Sequence, residues 1–265
     1  MEKINFKIIF EFIKKTKNFL HPLFDLYFPG ILKKEYLINM RNGMIIRIRP
    51  KIREKIGDID IFKEIVIEDE YRIKNVLKEG EIILDIGANI GLFSLCASNM
   101  INNIKVYAFE PFKDNFKILK ENIKLNKSNN IIPQMSALSD SNGKGFLFIS
   151  HENTGAHSIY DKGNMNKKII KTETLTSALE RTKANFLKID CEGAEYKILL
   201  STSKKIIRKV DGMILEQHIT PETLKQYPKN IIMNYFKKCG FEAKILEKIF
   251  YKDEGEFWII YAKRI

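Results

Sequence analysis

The stretch Ile82-Ile-Leu-Asp-Ile-Gly-Ala-Asn-Ile-Gly91 decides the fold class of this chain. It opens with an apolar run of strand character, passes through a turn that contains Gly87 and Gly91, and meets a helical pattern at Leu92. Because glycine has no Cβ, both positions allow a tight turn and a close approach of the backbone to a ligand. This order of strand, glycine turn and helix predicts the ligand-binding unit of a Rossmann-like α/β sheet.

Three classes of ligand bind at such a turn, and the residues within it distinguish them. A phosphate loop needs Gly-Lys followed by Ser or Thr, whereas Gly91 precedes Leu92-Phe93. A dinucleotide site needs Gly-x-Gly-x-x-Gly, but Asn89 holds the middle position, and the carboxylate of Asp85 would repel a pyrophosphate. S-adenosylmethionine has no phosphate and carries a cationic ammonium and sulfonium, which the carboxylate of Asp85 suits.

A second acidic residue lies at the end of the next predicted strand, in Ala108-Phe-Glu110-Pro-Phe112. A carboxylate about twenty residues beyond the glycine turn can accept hydrogen bonds from both hydroxyls of a ribose. The ring of Phe112 is placed to lie against an adenine. By itself, Asp85 is also typical of a turn-stabilising side chain, and Glu110 of a surface residue at a strand end. Together, on consecutive strands, they predict an S-adenosylmethionine site.

Strand and helix patterns alternate around this unit. Strands are predicted at Ile82–Ile86, Lys105–Glu110, Ile131–Ser136, Phe186–Asp190, Gly212–Gln217, Glu242–Glu247 and Phe257–Ala262. Helices are predicted at Gly91–Asn99, Lys113–Asn126, Ala194–Ser203 and Thr220–Cys239. The alternation predicts a mostly parallel sheet with helices on both faces. Residues 140–176 interrupt it and predict a hairpin insertion, with strands at Gly145–Ser150 and Ile169–Thr174. A surface loop at Asn153-Thr154-Gly155, with His157 nearby as a candidate substrate contact, would lie above the acceptor pocket.

Residues 1–60 are predicted to form a basic helix-and-hairpin extension of a domain that spans residues 61–265. A helix over residues 4–19 places four apolar side chains on one face: Phe6, Ile9, Phe10 and Ile13. This face either packs on the main domain or lies on a membrane surface. Asn42-Gly43 predicts a hairpin turn. The alternation beyond it predicts an edge strand with five cations on one face, namely Arg47, Arg49, Lys51, Arg53 and Lys55. Such a face is either a solvated, charge-protected edge or an anion-binding surface.

Several motifs together resemble the FkbM family of S-adenosylmethionine-dependent methyltransferases. They are Asp85-Ile-Gly-Ala-Asn-Ile-Gly91, Phe109-Glu-Pro-Phe112 with Asn115, Ala137-Leu-Ser-Asp140, Lys188-Ile-Asp-Cys-Glu-Gly-Ala-Glu195 and Glu216-Gln-His218. The resemblance covers about residues 37–262 and implies a seven-stranded sheet of order 3-2-1-4-5-7-6. It also implies O-methylation, typically of a sugar or polyketide-like hydroxyl. The residues expected at the cofactor are Asp85, Gly87, Ala88, Asn89, Gly91, Glu110, Pro111, Phe112, Ser136, Ala137 and Asp190.

Methyl transfer to a hydroxyl requires alignment of the acceptor oxygen and removal of its proton. The ends of two strands supply candidate catalytic residues, Asp190 on one and Glu216 with His218 on the other. His218 is the preferred base, because an unperturbed imidazole is neutral at physiological pH. Asp190, Glu192, Glu216 and His218 are also candidate ligands of a divalent cation. Their spacing is not diagnostic of a metal site, and no metal is predicted.

Composition limits the remaining classes. The 265 residues carry 45 Lys and Arg against 33 Asp and Glu, a net charge of +12 that favours an anionic partner or a Lys-rich solvated surface. The apolar segments are too short to span a membrane, and charges interrupt the first twenty residues, which argues against a secretory signal. Three cysteines without metal spacing (Cys96, Cys191 and Cys239) indicate a reducing cytoplasm, with peripheral contact at the inner membrane face as an extension.

Three functions follow from these patterns. The first is an O-methyltransferase for a sugar, a glycan or a related small molecule, with an anionic or membrane-associated glycan favoured by the basic N-terminal segment. The second is a nucleic-acid methyltransferase, which the charge suggests. Against it, the chain has no Asn-Pro-Pro-Tyr-type motif, no Pro-Cys nucleophile and no appended RNA-binding module. The third is a binding module that keeps the fold without activity; the intact Asp85 and Glu110 argue against that.

Overall fold

The computed structural model describes residues 5–52, 55–149, 166–251 and 255–265. The helices of these residues are α1 Phe6–Lys15, α2 Leu20–Tyr27, α3 Asp58–Phe62, α4 Ile73–Val76, α5 Leu92–Met100, α6 Lys113–Leu125, α7 Leu175–Thr182, α8 Glu195–Leu200, α9 Lys204–Ile207, α10 Pro221–Leu224 and α11 Ile231–Cys239, with a π-helix at Lys63–Glu68. The strands are β1 Tyr36–Asn39, β2 Ile45–Ile48, β3 Ile82–Ile86, β4 Lys105–Phe109, β5 Ile131–Gln134, β6 Ala137–Ser139, β7 Gly143–Ile149, β8 Asn166–Thr174, β9 Phe186–Ile189, β10 Gly212–Ile219, β11 Phe241–Tyr251 and β12 Gly255–Arg264.

Within the described residues, seven strands form the central sheet in the order β5-β4-β3-β9-β10-β12-β11. Numbered along the sheet's own strands, this is 3-2-1-4-5-7-6, so the predicted α/β topology is confirmed. The strands from β5 to β10 are parallel, whereas β12 pairs antiparallel with both β10 and β11. The carboxyl ends of β3, β4, β9 and β10 therefore meet at one edge.

The central strands are apolar because both faces of the sheet are covered. All four residues of β9 are buried, as are four of the five residues of β3. One apolar cluster joins this sheet to α5 and α6 and to N-terminal side chains that include Ile8, Phe12 and Leu26. A second cluster packs α7, α8 and α11 on the other face. The division of the chain at residue 60 stays a prediction.

The predicted hairpin insertion is present as a small second sheet. β7 and β8 pair antiparallel, and β8 also pairs in parallel with β6. The loop around Asn153 and the candidate substrate contact His157 lie outside the described residues.

The predicted N-terminal hairpin is confirmed, with β1 antiparallel to β2 around Asn42-Gly43. The open edge of β2 is covered by two side-chain amides one turn apart, Asn122 on α6 and Asn126 directly after it. Asn122 Oδ1 accepts from the backbone N of Arg47 at 2.7 Å, and Asn126 Oδ1 accepts from the backbone N of Ile45 at 2.8 Å. These side chains take the place of a neighbouring strand.

The predicted cationic strand face is wrong for Arg47, Arg49 and Lys51. β2 ends at Ile48, before Pro50, so the period-two pattern does not continue. Arg47 lies within 3.2 Å of carboxylate oxygens of both Glu35 and Glu121. Arg49 pairs with Asp58 and Lys51 with Asp60, each at 2.7 Å. These three cations are neutralised within the protein, and Arg53 lies outside the described residues.

One further difference concerns a helix. The helix predicted over Thr220–Cys239 is divided into α10 and α11, because Pro228 disfavours a helical conformation at the residue before it. In the described part of the chain, no helix combines the length and apolar character needed to cross a bilayer.

Candidate active site

The glycine turn joins β3 to α5 at the carboxyl edge of the sheet. The backbone N atoms of Gly87 and Ala88 donate to the carbonyl O of Phe109, at 3.1 and 2.9 Å. Gly87 has φ +78°, and a Cβ there would overlap the carbonyl oxygen of Asp190. Gly91 has φ +92°, and a Cβ there would lie 2.5 Å from a methyl group of Leu119. Both glycines thus allow the turn to pack against the protein's own neighbouring segments.

Asp85 is placed differently from the expected ligand contact. Its side chain is fully buried, with Oδ2 accepting from the Ser94 hydroxyl at 2.6 Å and Oδ1 lying 3.4 Å from Lys188 Nζ. The same ammonium donates to the carbonyl O of Gly87 at 3.0 Å and contacts Asp190 Oδ2 at 3.3 Å. Burial would lower the pKa of Lys188, but Asp190 and Asp85 raise it overall. Asp85 therefore shapes the turn through Lys188, and its charge is already balanced.

Glu110 lies beside the glycine turn, as its sequence spacing predicted. Its carboxylate accepts from the backbone N of Asn89 at 2.9 Å and from the backbone N of Phe112 at 2.7 Å. Burial raises the pKa of Glu110 to about 7, against the opposing effect of these hydrogen bonds. Asn89 has φ +50°, and its buried Oδ1 has no hydrogen-bond partner among the described residues. Pro111 lies between Glu110 and Phe112, at the start of the loop into α6.

The expected adenine side is assembled from the residues that follow β4 and β5. Phe112 and Ala137 belong to one small apolar cluster with Leu147, Ile149 and Ile170 of the insertion sheet. Ser136, the residue directly before β6, is also buried. The fold thus brings this apolar cluster next to Glu110, which accepts from the backbone N of Phe112.

Asp190 ends β9 and faces Tyr71. The Tyr71 hydroxyl donates to Asp190 Oδ2 at 3.0 Å and lies 3.4 Å from Glu216 Oε2. Burial would raise the pKa of Asp190, but Lys188, His218 and the Tyr71 hydrogen bond lower it overall. Burial and the charge of Asp190 raise the pKa of Glu216 to about 8. Two of the three predicted catalytic residues are therefore joined by one tyrosine.

His218 is the third, and its ring lies among three carboxylates. Its Nδ1 lies 3.3 Å from Glu195 Oε1, and its Nε2 lies 3.6 Å from Glu192 Oε2 and 3.8 Å from Glu216 Oε1. Burial would lower the pKa of His218, but these three carboxylates raise it well above its ordinary value. These carboxylates therefore favour the protonated form of the ring.

Sequence reasoning missed the acidic contribution of the segment before β3. Burial raises the pKa of Glu64, on the π-helix, to about 7, and raises that of Glu70 well above its ordinary value. Asp190 adds to both shifts, and Glu216 adds to that of Glu70, which places these carboxylates within electrostatic reach. Residues 58–77 carry no motif; only the run Glu68-Asp69-Glu70-Tyr71, with acids next to an aromatic residue, could have signalled the contribution.

The raised pKa of Glu110 predicts a specific dependence of stability on pH. Its folded pKa lies above the value of about 4.5 in the unfolded chain, so its contribution is most favourable below that pH. The contribution is lost as pH rises through about 7. A change of this size corresponds to about 3 kcal/mol. Urea unfolding at about pH 5 and about pH 8 should show wild type losing roughly this much relative to Glu110→Gln.

The quantity compared is the change in the free energy of unfolding between the two pH values. Its absolute value is not compared, because the Gln side chain also alters one of the two hydrogen bonds from the backbone. Glu180→Gln, at an exposed position, is the matched control and should differ from wild type by the same small amount at both pH values. An equal difference between wild type and Glu110→Gln at both pH values would contradict the assignment.

Several known proteins that are similar to this chain are methyltransferases. A family model, the methyltransferase FkbM domain, matches residues 85–243. The hexuronic acid methyltransferase AglP of Haloferax volcanii is 31% identical over 215 residues, covering 79% of this chain and 79% of that protein. Methyltransferase 1 of Beauveria bassiana is 23% identical and covers 59% of this chain and 72% of its own length. The solved structure of Trm5b from Pyrococcus abyssi superposes with a TM-score of 0.48 and 16% identity, covering 88% of this chain and 57% of that one.

Proposed function

Because the chain belongs to the FkbM family of methyltransferases, we propose that it transfers a methyl group from S-adenosylmethionine to a hydroxyl of a sugar or glycan. A relative that matches most of the chain is a hexuronic acid methyltransferase, which supports a carbohydrate as the acceptor class. The supporting observation within the molecule is the gathering of the glycine turn, Glu110, Asp190, Glu216 and His218 at one edge of the sheet. That edge is where open α/β sheets bind their ligands.

The residues around the glycine turn fit S-adenosylmethionine. Asn89 presents a buried carbonyl oxygen that has no partner among the described residues, and Glu110 presents a carboxylate next to it. In our proposal Glu110 binds the ribose hydroxyls, with Gly87, Ala88, Asn89 and Gly91 forming the wall of the site. Phe112 with Pro111, Ser136 and Ala137 holds the adenine, and Asp190 faces the methionine part. When bound, the cofactor supplies an activated methyl group.

The acceptor would lie on the other side of Asp190, against Glu216 and His218. Tyr71 fixes the orientation of Asp190 and Glu216, and Glu195 fixes the ring of His218. These side chains align the acceptor hydroxyl, and one of them takes the proton that the hydroxyl loses when its oxygen is methylated. Alignment by rigid, hydrogen-bonded groups is the larger part of the rate gain in such a displacement.

The test is transfer of labelled methyl from S-adenosylmethionine to a panel of neutral glycans, uronate-containing glycans and tRNA. We expect label on the glycans, and a loss of roughly 10²–10⁴ in rate for Asp190→Asn. Asp211→Asn, in an exposed pair with Arg264, is the matched control and should keep full activity. Label on tRNA alone would replace the proposal with the nucleic-acid alternative, and no binding of S-adenosylmethionine would leave only a binding module.

The N-terminal helices support a second part of the proposal, contact with an anionic lipid surface at the cytoplasmic face of a membrane. α1 packs through Ile8 and Phe12 but leaves Phe6 81% and Phe10 63% exposed. α2 likewise exposes one row of apolar side chains at helical spacing, namely Leu20, Phe24 and Phe28. The backbone N of Asn5 donates to the Tyr27 hydroxyl at 3.1 Å, which joins the start of α1 to the end of α2.

The positive charge of the exposed lysines supports an anionic lipid surface as the partner of these helices. Lys7, Lys14 and Lys17 are exposed on and directly after α1, and the whole chain carries +12. Exposed aromatic side chains next to lysines are typical of helices that lie in the interface of an anionic bilayer. A membrane-bound glycan would then be presented to the active site at the same surface.

We expect the double variant Phe6→Ser/Phe10→Ser to bind vesicles of phosphatidylglycerol and phosphatidylcholine at least about tenfold more weakly, since two phenylalanines no longer enter the apolar layer. Flotation of the full chain with these vesicles measures the effect. Ile169→Ser/Phe250→Ser removes side chains that are 69% and 68% exposed elsewhere and is the matched control. Equal flotation of both double variants would contradict the proposal, as would a dimer in solution that Phe6→Ser/Phe10→Ser dissociates.

A further inference from the structure

The acceptor side of the site has more carboxylates than its cations balance. Asp190, Glu192 and Glu216 come from the ends of β9 and β10, and Glu64 and Glu70 approach from the segment before β3. The described cations near them include Lys188, which is already paired with Asp85, the ring of His218, and Lys63, which acts on Glu64. Such a surface has no excess of positive charge to attract an anionic sugar, although a hexuronic acid methyltransferase is a relative.

Three of these side chains converge on one point. One oxygen each of Asp190 and Glu192 and one ring nitrogen of His218 lie within 4.8 Å of one another. An ion that bonds to oxygen and nitrogen at about 2.0–2.6 Å fits between ligand atoms at such separations. Asp190, Glu192 and Glu216 are partly open, with side chains 26%, 18% and 18% exposed, so an ion there would keep coordination positions for a second molecule.

The orientation of His218 is the independent observation. The residue is 3% exposed, and its Nδ1 is held by Glu195 at 3.3 Å. Glu195 is itself fixed, because it accepts from the backbone N of both Gly193 and His218 at 2.8 Å. Nε2 therefore points into the cluster, 3.6 Å from Glu192 Oε2 and 3.8 Å from Glu216 Oε1, both longer than a hydrogen bond. A carboxylate on one ring nitrogen, with the other directed at a cluster of oxygens, is the arrangement of metal-binding histidines.

We propose that Asp190, Glu192 and His218 form a divalent-cation site that binds oxygens of the acceptor. The role of this site in binding the acceptor rests on the proposed function, whereas cation binding by the three residues does not. The ion would add positive charge to the acceptor side and directly coordinate vicinal hydroxyl or carboxylate oxygens of a sugar. Glu216, which lies 3.8 Å from His218 Nε2, remains beside it as a group that positions the acceptor hydroxyl. The mixed oxygen and nitrogen ligands suit Mn²⁺, and Mg²⁺ with fewer protein ligands.

The experiment is a titration of the full-length, chelator-treated protein with Mn²⁺, followed by the electron paramagnetic resonance signal of free Mn²⁺. We expect one ion per chain, and affinity at least about tenfold weaker in Glu192→Gln and in His218→Gln. Glu180→Gln and His21→Gln replace an exposed glutamate and an exposed histidine and should bind as wild type does. Thermal melting of each variant shows that it is folded; Glu192, in a partly exposed turn, tolerates glutamine most easily.

Two results would overturn the site. One is no binding of Mn²⁺ up to about 1 mM, a concentration at which weak natural oxygen sites are filled. The other is binding that all four variants retain. In either case His218 is itself the cation of the cluster, held by three carboxylates. Binding is measured without cofactor or acceptor, so its failure is distinct from failure of the methyltransferase proposal. If Mn²⁺ binds at these residues, glycan methylation should fall with chelator and return with Mn²⁺ or Mg²⁺.

Discussion

Gly87→Ala is expected to destabilise the protein by more than about 4 kcal/mol or to prevent its folding. Two effects combine at this position. The backbone has φ +78°, which costs an L-residue about 1–2 kcal/mol, and the added methyl group would overlap the carbonyl oxygen of Asp190. That oxygen belongs to backbone and cannot move without separating β3 from β9. Urea unfolding, or the yield of soluble protein where the variant does not fold, measures the loss.

Gly80→Ala is the matched control for this prediction. Gly80 has φ +80°, nearly the same as Gly87, but a Cβ there would meet nothing within 4 Å. It should therefore show the backbone cost alone, about 1–2 kcal/mol. The difference between the two variants isolates the close approach of the glycine turn to the end of β9. Similar losses for both variants would mean that this approach does not explain the glycine.

Lys188→Met is expected to cost about 3–5 kcal/mol of stability and to abolish methyl transfer. The ammonium is buried between Asp85 and Asp190 and donates to the carbonyl O of Gly87. Its removal leaves Asp85, which is 0% exposed, as an uncompensated buried carboxylate beside the glycine turn. Chemical unfolding and a methyl-transfer assay on the same preparation measure both losses.

The control variants separate charge from packing. In Asp85→Asn/Lys188→Met both charges are absent, so stability should recover by roughly half of the loss, while Asp190 remains without its partner. Lys209→Met, at an exposed position, should lie within about 0.5 kcal/mol of wild type. If the double variant is no more stable than Lys188→Met alone, the ammonium does not act by neutralising Asp85.

The sheet could be predicted from the sequence because strand patterns and the glycine turn are properties of residues that are neighbours in the chain. The run Ile82–Ile86 is apolar on both faces, which only a covered parallel strand requires, and the glycine turn follows at once. Alternation of strands and helices then restricts the connections to few topologies. The cationic face over residues 47–55 was wrong for the converse reason. Period two places side chains on a face, but Asp58 and Asp60, which neutralise Arg49 and Lys51, come from a helix that the strand pattern does not include.

In the candidate site, the positions of the residues could be predicted from the sequence, but their charge states could not. Asp85, Glu110, Asp190, Glu216 and His218 could be found because each lies near the end of a predicted strand, and parallel strands end at a common edge. Their charge states could not be found, because a pKa depends on burial and on carboxylates that are distant in sequence. Glu195, which orients His218, is 23 residues before it, and Tyr71, which bonds to Asp190, is 119 residues before that residue.

The sequence by itself thus determined the α/β topology, the family and the positions of the acidic residues at the strand ends, because these depend on short-range pattern and spacing. Only the tertiary structure decided that Asp85 is neutralised by Lys188, that three carboxylates surround the ring of His218, and that Asp190, Glu192 and His218 converge. Electrostatic interactions act through space and depend strongly on desolvation, so they are fixed only when the chain has brought distant segments together.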